Sequence, residues 1–138
     1  MTSFSQQLDA WARQTSARVE AVFKTAVQDL AEQANTPIGK GGATPLDTGF
    51  LVNSFAAAVN SIPRGESQQP SGYRAADFDM MPITAAILSA NVGDRIVLGW
   101  VAEYATYMEA RYGFLRIPVQ NWQQIVDDAV VKVKSEYK

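Results

Sequence analysis

The first third of the chain carries a single hydrophobic stripe. Phe4, Leu8, Trp11, Thr15, Val19, Val22, Ala26 and Leu30 recur at steps of three and four, and Phe23 and Val27 widen the row. That is the spacing of one face of an α-helix. Gln7, Arg13, Gln14, Glu20, Lys24 and Gln28 fall mostly on the other side. Ser3 followed three residues later by Gln6 has the capping-box spacing that opens a helix. Asn35-Thr36-Pro37 closes it, because proline disfavours helical backbone in the residue before it. The pattern predicts a long helix within residues 1–35, roughly 45 Å long at ~1.5 Å per residue. A domain of this chain length is under about 40 Å across. The helix is therefore expected to overhang its own domain. Most of the stripe reads as burial on the domain body, while Phe4, Leu8 and Trp11 are expected to bury their apolar side on another subunit, since bare aromatics at a helix end form an unprotected patch.

Further along, the periodicities are shorter. Gly39-Lys40-Gly41-Gly42 reads as a flexible connector; a phosphate-binding loop needs Lys followed by Ser or Thr after a strand, whereas here a helix precedes and Gly-Gly follows. From LVNSFAAAVN on to Ile62, positions 51, 54, 55, 58, 59 and 62 fit a helical face, while 51, 55, 57 and 59 fit one side of a strand. We read a short helical turn capped by Asp47 that runs into a strand. Residues 61–82 hold three of the six prolines among Gly, Ser and Gln, the composition of an extended loop or arm. Such a loop is either disordered or ordered against a neighbour through Tyr73, Phe78, Met80 and Met81. A helix from Ile83 to Asn91, a turn at Gly93-Asp94 and a strand from Arg95 to Val101 follow. Ala102 to Tyr112 has helical spacing, and Pro118 suits the first turn of a closing helix over 118–136. Val119, Trp122, Ile125, Val126, Ala129, Val130 and Val133 would be its apolar face. The sum is one α+β domain over 1–138, with a small antiparallel or mixed sheet, short middle helices and a long helix at each end.

Charge and composition remove whole classes of function. Twelve Lys+Arg against fourteen Asp+Glu give a formal net charge of -2, without the basic footprint of a nucleic-acid binder, so any contact with DNA is expected to be passive. The chain has no Cys and no His. It therefore offers no thiolate or imidazole metal site, no Ser-His-Asp triad and no Cys-His pair, and no cofactor is expected. The longest apolar run, Ile83 to Ala90, is far shorter than the ~20 residues that cross a bilayer. No membrane association is expected.

One triplet invites an enzymatic reading. Asp47-Thr48-Gly49 is the sequence that carries the catalytic carboxylate of aspartic proteases, and a short chain with one triplet would pair with its own copy so that two carboxylates share a proton. Ile96-Val97-Leu98-Gly99 imitates a second element of such enzymes. Those proteases are nearly all-β, however, and enter the triplet on a hydrophobic strand; here Gly-Gly-Ala-Thr-Pro precedes it and Phe50 follows. A dimeric aspartic-type peptidase using Asp47 is the disfavoured alternative.

A different resemblance covers most of the chain. Thr44-Pro45-Leu46-Asp47-Thr48-Gly49-Phe50-Leu51-Val52-Asn53-Ser54 resembles the T-P-x-D-T-G-x-L-x-x-S segment of the neck and tail-completion proteins of long-tailed double-stranded DNA phages, the lambdoid gene-ten-product family. Gly99-Trp-Val-Ala-Glu-Tyr-Ala-Thr-Tyr-Met-Glu109 resembles the family's G-x-x-x-x-Y-A-x-x-x-E block, in the expected order and bracketed by helices. The family usually continues with E-Y-G or E-F-G; here the glycine comes later, at Gly113. The resemblance implies a non-enzymatic virion protein at the head–tail junction. It would form a hexameric or dodecameric ring around the DNA channel and contact head-closure, tail-terminator or tail-tube proteins. A tail terminator of the same virion is the alternative in that setting. Within the motifs, Pro45, Asp47, Thr48, Gly49 and Leu51 read as architecture: Asp47 and Thr48 support a turn, and Gly49 permits an unusual backbone angle. Gly99, Tyr104, Ala105 and Glu109 form the second block, where Tyr104, Tyr107 and Glu109 serve either ordinary packing and solvent contact or a subunit interface, in which Tyr is over-represented.

Overall fold

The computed structural model describes residues 3–46, 49–74 and 77–136. Helix α1 runs Phe4–Ala34, 31 residues and about 46 Å. Its capping box is formed as the sequence predicts. The Ser3 hydroxyl accepts from the Gln6 N–H, and the Gln6 side chain accepts from the Ser3 N–H. Every residue from Ser3 to Val19 is exposed, so the helix does overhang the body. The body begins near Lys24, whose Nζ pairs with Glu20 at 2.8 Å and donates to the Leu88 carbonyl at 2.8 Å. From there Ala26, Val27, Ala31 and Ala34 are buried.

The connector after α1 is built rather than flexible. Residues Ile38–Lys40 form a 3-10 turn, Gly42 N–H donates to the Pro37 carbonyl, and Thr36 and Ile38 pair with Thr44 in a small clip. Helix α2 (Phe50–Asn53) then feeds strand β1 (Phe55–Val59), as the pattern of Leu51 to Asn60 suggests. Strand β2 (Ile96–Trp100) pairs antiparallel with β1, with Phe55 opposite Trp100, Ala57 opposite Leu98 and Val59 opposite Ile96. Between the strands lies helix α3 (Met81–Ser89), which starts two residues earlier than the apolar pattern indicates because Pro82 fits its first turn. Val27 and Ala31 of α1, Phe55 of β1, and Ile83 and Ile87 of α3 make one buried cluster, and Ala57, Ile96, Leu98 and Trp100 close it from the sheet side. Alternation along the strands puts these side chains on one face.

After β2 come α4 (Ala105–Tyr112), α5 (Arg116–Gln120) and α6 (Trp122–Glu136). The predicted single helix over 118–136 is thus two helices. The break is at Asn121, whose N–H bonds back to Pro118 and whose carbonyl accepts the first i+4 bond of α6, from Ile125. This changes which residues face inward. Ile125, Ala129 and Val133 are buried, whereas Val119 and Trp122, expected on the same apolar face, are exposed. Ile125 and Ala129 pack on Ala26, with Val22, Leu30 and Val126 around them. The result is an α+β domain: a two-stranded sheet under α1 and α3, with α6 on the second half of α1.

Candidate functional site

The two motif blocks meet in one aromatic cluster. Phe50, Leu51, Ala102 and Phe114 are buried together, with Ala43, Tyr73, Trp100, Tyr104, Ala105 and Met108 packed around them. Leu51 and Ala105 of the motifs are therefore packing residues. Thr44 is fully buried; its hydroxyl donates to the Ala34 carbonyl at 2.8 Å, satisfying one of the open carbonyls at the end of α1. Pro45 follows it, half-buried. Asp47 and Thr48 lie outside the described residues. Gly49 has φ 83° as it enters α2, the left-handed backbone that glycine adopts without cost.

In the second block, Glu109 has a definite task. Its carboxylate accepts the backbone N–H groups of Leu115 at 2.8 Å and Arg116 at 3.2 Å, so a residue of α4 holds the start of α5. Between them Gly113, at φ 67°, ends α4 in a left-handed cap. The displaced glycine thus makes the turn that drops Phe114 into the core. Tyr104 sits at the N-terminal end of α4, half-buried, with its ring 6.2 Å from Phe50. Around Gly99 an added Cβ would meet nothing within 4 Å, so nothing in this chain's packing explains a glycine there.

The residues expected at a subunit interface divide into two groups. Phe4, Leu8 and Trp11 stand exposed on the overhang at 75%, 49% and 65%, and Tyr107 is exposed on α4. Tyr73 and Phe78 are instead half-buried within their own chain. Tyr73 meets Phe50 edge-on at 5.2 Å, and Phe78 lies 6.1 Å from Phe55. Tyr73 and Phe78 therefore anchor the described parts of this loop on their own chain, while Met81, the first residue of α3, is exposed.

The residue that ties these parts together went unrecognised in the sequence pattern. Trp100 stacks on Phe55 at 4.6 Å, meets Phe114 edge-on at 4.7 Å, and donates its indole N–H to Asn35 Oδ1 at 2.8 Å. Asn35, at the C-terminal end of α1, is buried and also donates to the Val52 carbonyl at 3.0 Å. A polar residue one position short of Thr-Pro looks like a helix terminator. Only its burial between α1, α2 and β2 reveals the second role.

Two carboxylates give the fold opposed pH dependences. Asp94 accepts the Asn91 backbone N–H at 2.7 Å and the Asn60 amide at 3.1 Å. These bonds, the backbone one foremost, hold it below the ordinary aspartate range. Its stabilising contribution is present above the unfolded-state value and is lost as pH falls through the folded-state value. Asp29 is pushed up, first by burial and then by the charge of Glu32. Its contribution has the opposite sign: stability is lost as pH rises through its folded value and recovered on acidification. Melting temperatures measured from about pH 7 to about pH 3 should accordingly fall less steeply in Asp94→Asn than in wild type, and more steeply in Asp29→Asn. Unchanged slopes in both variants would show that neither group is coupled to folding.

Among the described residues, no group of three or more Asp, Glu, His or Cys could hold a metal ion, and no helix is long and apolar enough to cross a membrane. No protein family, no curated protein and no solved structure matches the chain.

Proposed function

We propose that this chain is a non-enzymatic structural protein of the head–tail junction of a tailed phage, a neck or tail-completion subunit that closes into a ring and joins the head connector to the tail. The observation that carries the reading is the overhang of α1: three large apolar side chains, at four- and three-residue steps, on a helix segment exposed along its whole length from residue 4 to residue 19. A surface of that kind serves association. The ordered pair of motif blocks supplies the setting, and the structural tasks of Thr44, Gly49, Leu51 and Glu109 fit motifs that preserve a shape rather than a reaction. In such a ring each subunit offers one patch to a different patch on the next, and the rotation between them closes the circle. Head-closure, tail-terminator or tail-tube proteins would lie on its two faces, and DNA would pass through the channel without being read.

The test is a double substitution, Leu8→Ser with Trp11→Ser. Both side chains are exposed in the isolated chain, so the melting temperature of the subunit should hold. Burying side chains of this size contributes roughly 1.5–3 kcal/mol each, so association, followed by light scattering, should weaken by about a hundredfold or more. A wild-type chain that stays monomeric at every concentration and on an isolated connector, or a variant that assembles like wild type, would overturn the reading.

A further inference from the structure

Between α1 and α6 runs an open apolar groove of about 540 Å³, lined by Val22, Phe23, Trp122, Val126 and Val130. Among the described residues its lining includes Arg18 and Lys134 and no acidic residue. We propose that this groove is the seat for the first turns of α1 of a neighbouring copy, with Phe4, Leu8 and Trp11 of the donor laid into it. The inference rests on the ring reading and supplies the second patch of the subunit contact.

Three features of the chain select this occupant. First, Phe4, Leu8 and Trp11 stand at i, i+4 and i+7, the anchor spacing by which an amphipathic helix enters an apolar groove. Second, the donor segment 4–12 carries Asp9 as its sole charge, off the Phe4, Leu8 and Trp11 stripe, so the face laid into the groove brings no cation against Arg18 and Lys134. Third, the segment cannot reach the groove of its own chain. Helix α1 is continuous from Phe4 to Ala34 with no Gly or Pro in it, and Val22 and Phe23 of the groove lie on that same helix, so the donor must come from another molecule. Donor and acceptor are different surfaces of one subunit, as a heterologous ring contact requires.

The chain has no cysteine, which makes a cross-linking test clean. Leu8→Cys is prepared as one protein and Val130→Cys as a second, with Phe23→Cys as an independent acceptor position, and each pair is mixed with a short thiol-to-thiol cross-linker. The expected result is a covalent two-chain product in both mixtures, with at least tenfold less product from Leu8→Cys alone. If Leu8→Cys alone cross-links as well as the mixtures, the stripe packs on its own copy and the groove is not its seat. If no pair cross-links while light scattering shows the mixed proteins assembled, the groove proposal fails and the ring reading stands. If wild-type chain is monomeric at the same concentration, alone and on isolated connector, both fall.

Discussion

Replacing Phe114 with alanine is expected to cost the fold about 3–5 kcal/mol, the range for deleting a buried aromatic from a close-packed site. Phe114 is among the largest fully buried side chains, packed in one cluster with Phe50, Leu51 and Ala102 and edge-on to Trp100. The site has little freedom to collapse, because the Gly113 turn and the Glu109 carboxylate fix the backbone on both sides of it. Domains of this class are stable by only about 5–15 kcal/mol in total, so the loss takes a large share. Urea unfolding measures it as a lower midpoint at unchanged slope. Phe114→Leu, which keeps most of the volume, should lose clearly less. A cost under about 1 kcal/mol for Phe114→Ala would mean that the cluster closes over the gap and is not close-packed.

Asn35→Ala should be the second most damaging single change, at about 2–4 kcal/mol. The substitution strips the Trp100 indole of its acceptor and the Val52 carbonyl of a side-chain donor, and each buried group left unpaired costs about 1–3 kcal/mol. The double-mutant cycle with Trp100→Phe isolates the bond. Once the indole N–H is gone, removing Asn35 should cost less, with a coupling of about 0.5–3 kcal/mol between the two sites. Additive losses would show that the Asn35–Trp100 bond contributes nothing and that Asn35 acts through the Val52 carbonyl and the end of α1. Neither change touches the overhang, so both lower the melting temperature without altering the surface that we propose for assembly.

Both predictions rest on roles that the sequence pattern did not show, and for Asn35 the reason is distance along the chain. Asn35 and Trp100 are 65 positions apart. No local period relates them, and a partly buried polar pair looks, one residue at a time, like a helix terminator and a strand aromatic. Phe114 lies between two helices in a stretch where Phe114, Leu115 and Ile117 are all apolar, so no period singles out the one that turns inward. The break at Asn121 is hidden for a related reason: the apolar spacing runs through 118–136 without interruption, and only the backbone bond from Asn121 to Pro118 splits it. Tyr73 and Phe78 carry the same aromatic character whether they meet a neighbour or their own core. Which one they meet depends on where Phe50 and Phe55 are placed.

Short-range physics determined the rest directly from sequence. A capping box spans three residues, a helical stripe repeats every three or four, and proline acts on the residue before it, so Ser3, Gln6 and Pro37 suffice to bound α1. Its overhang followed from arithmetic on length alone, and Gly49 signalled an unusual backbone angle, which the structure shows to be left-handed, because the absence of a Cβ makes one easy. What tertiary structure alone decided was the destination of each apolar face. The second half of α1 is covered by α3 and α6, while the first half and the groove beside α6 are left open. A stripe in sequence says that a surface must be buried, and only the packing of distant elements determines how much of it the chain buries itself.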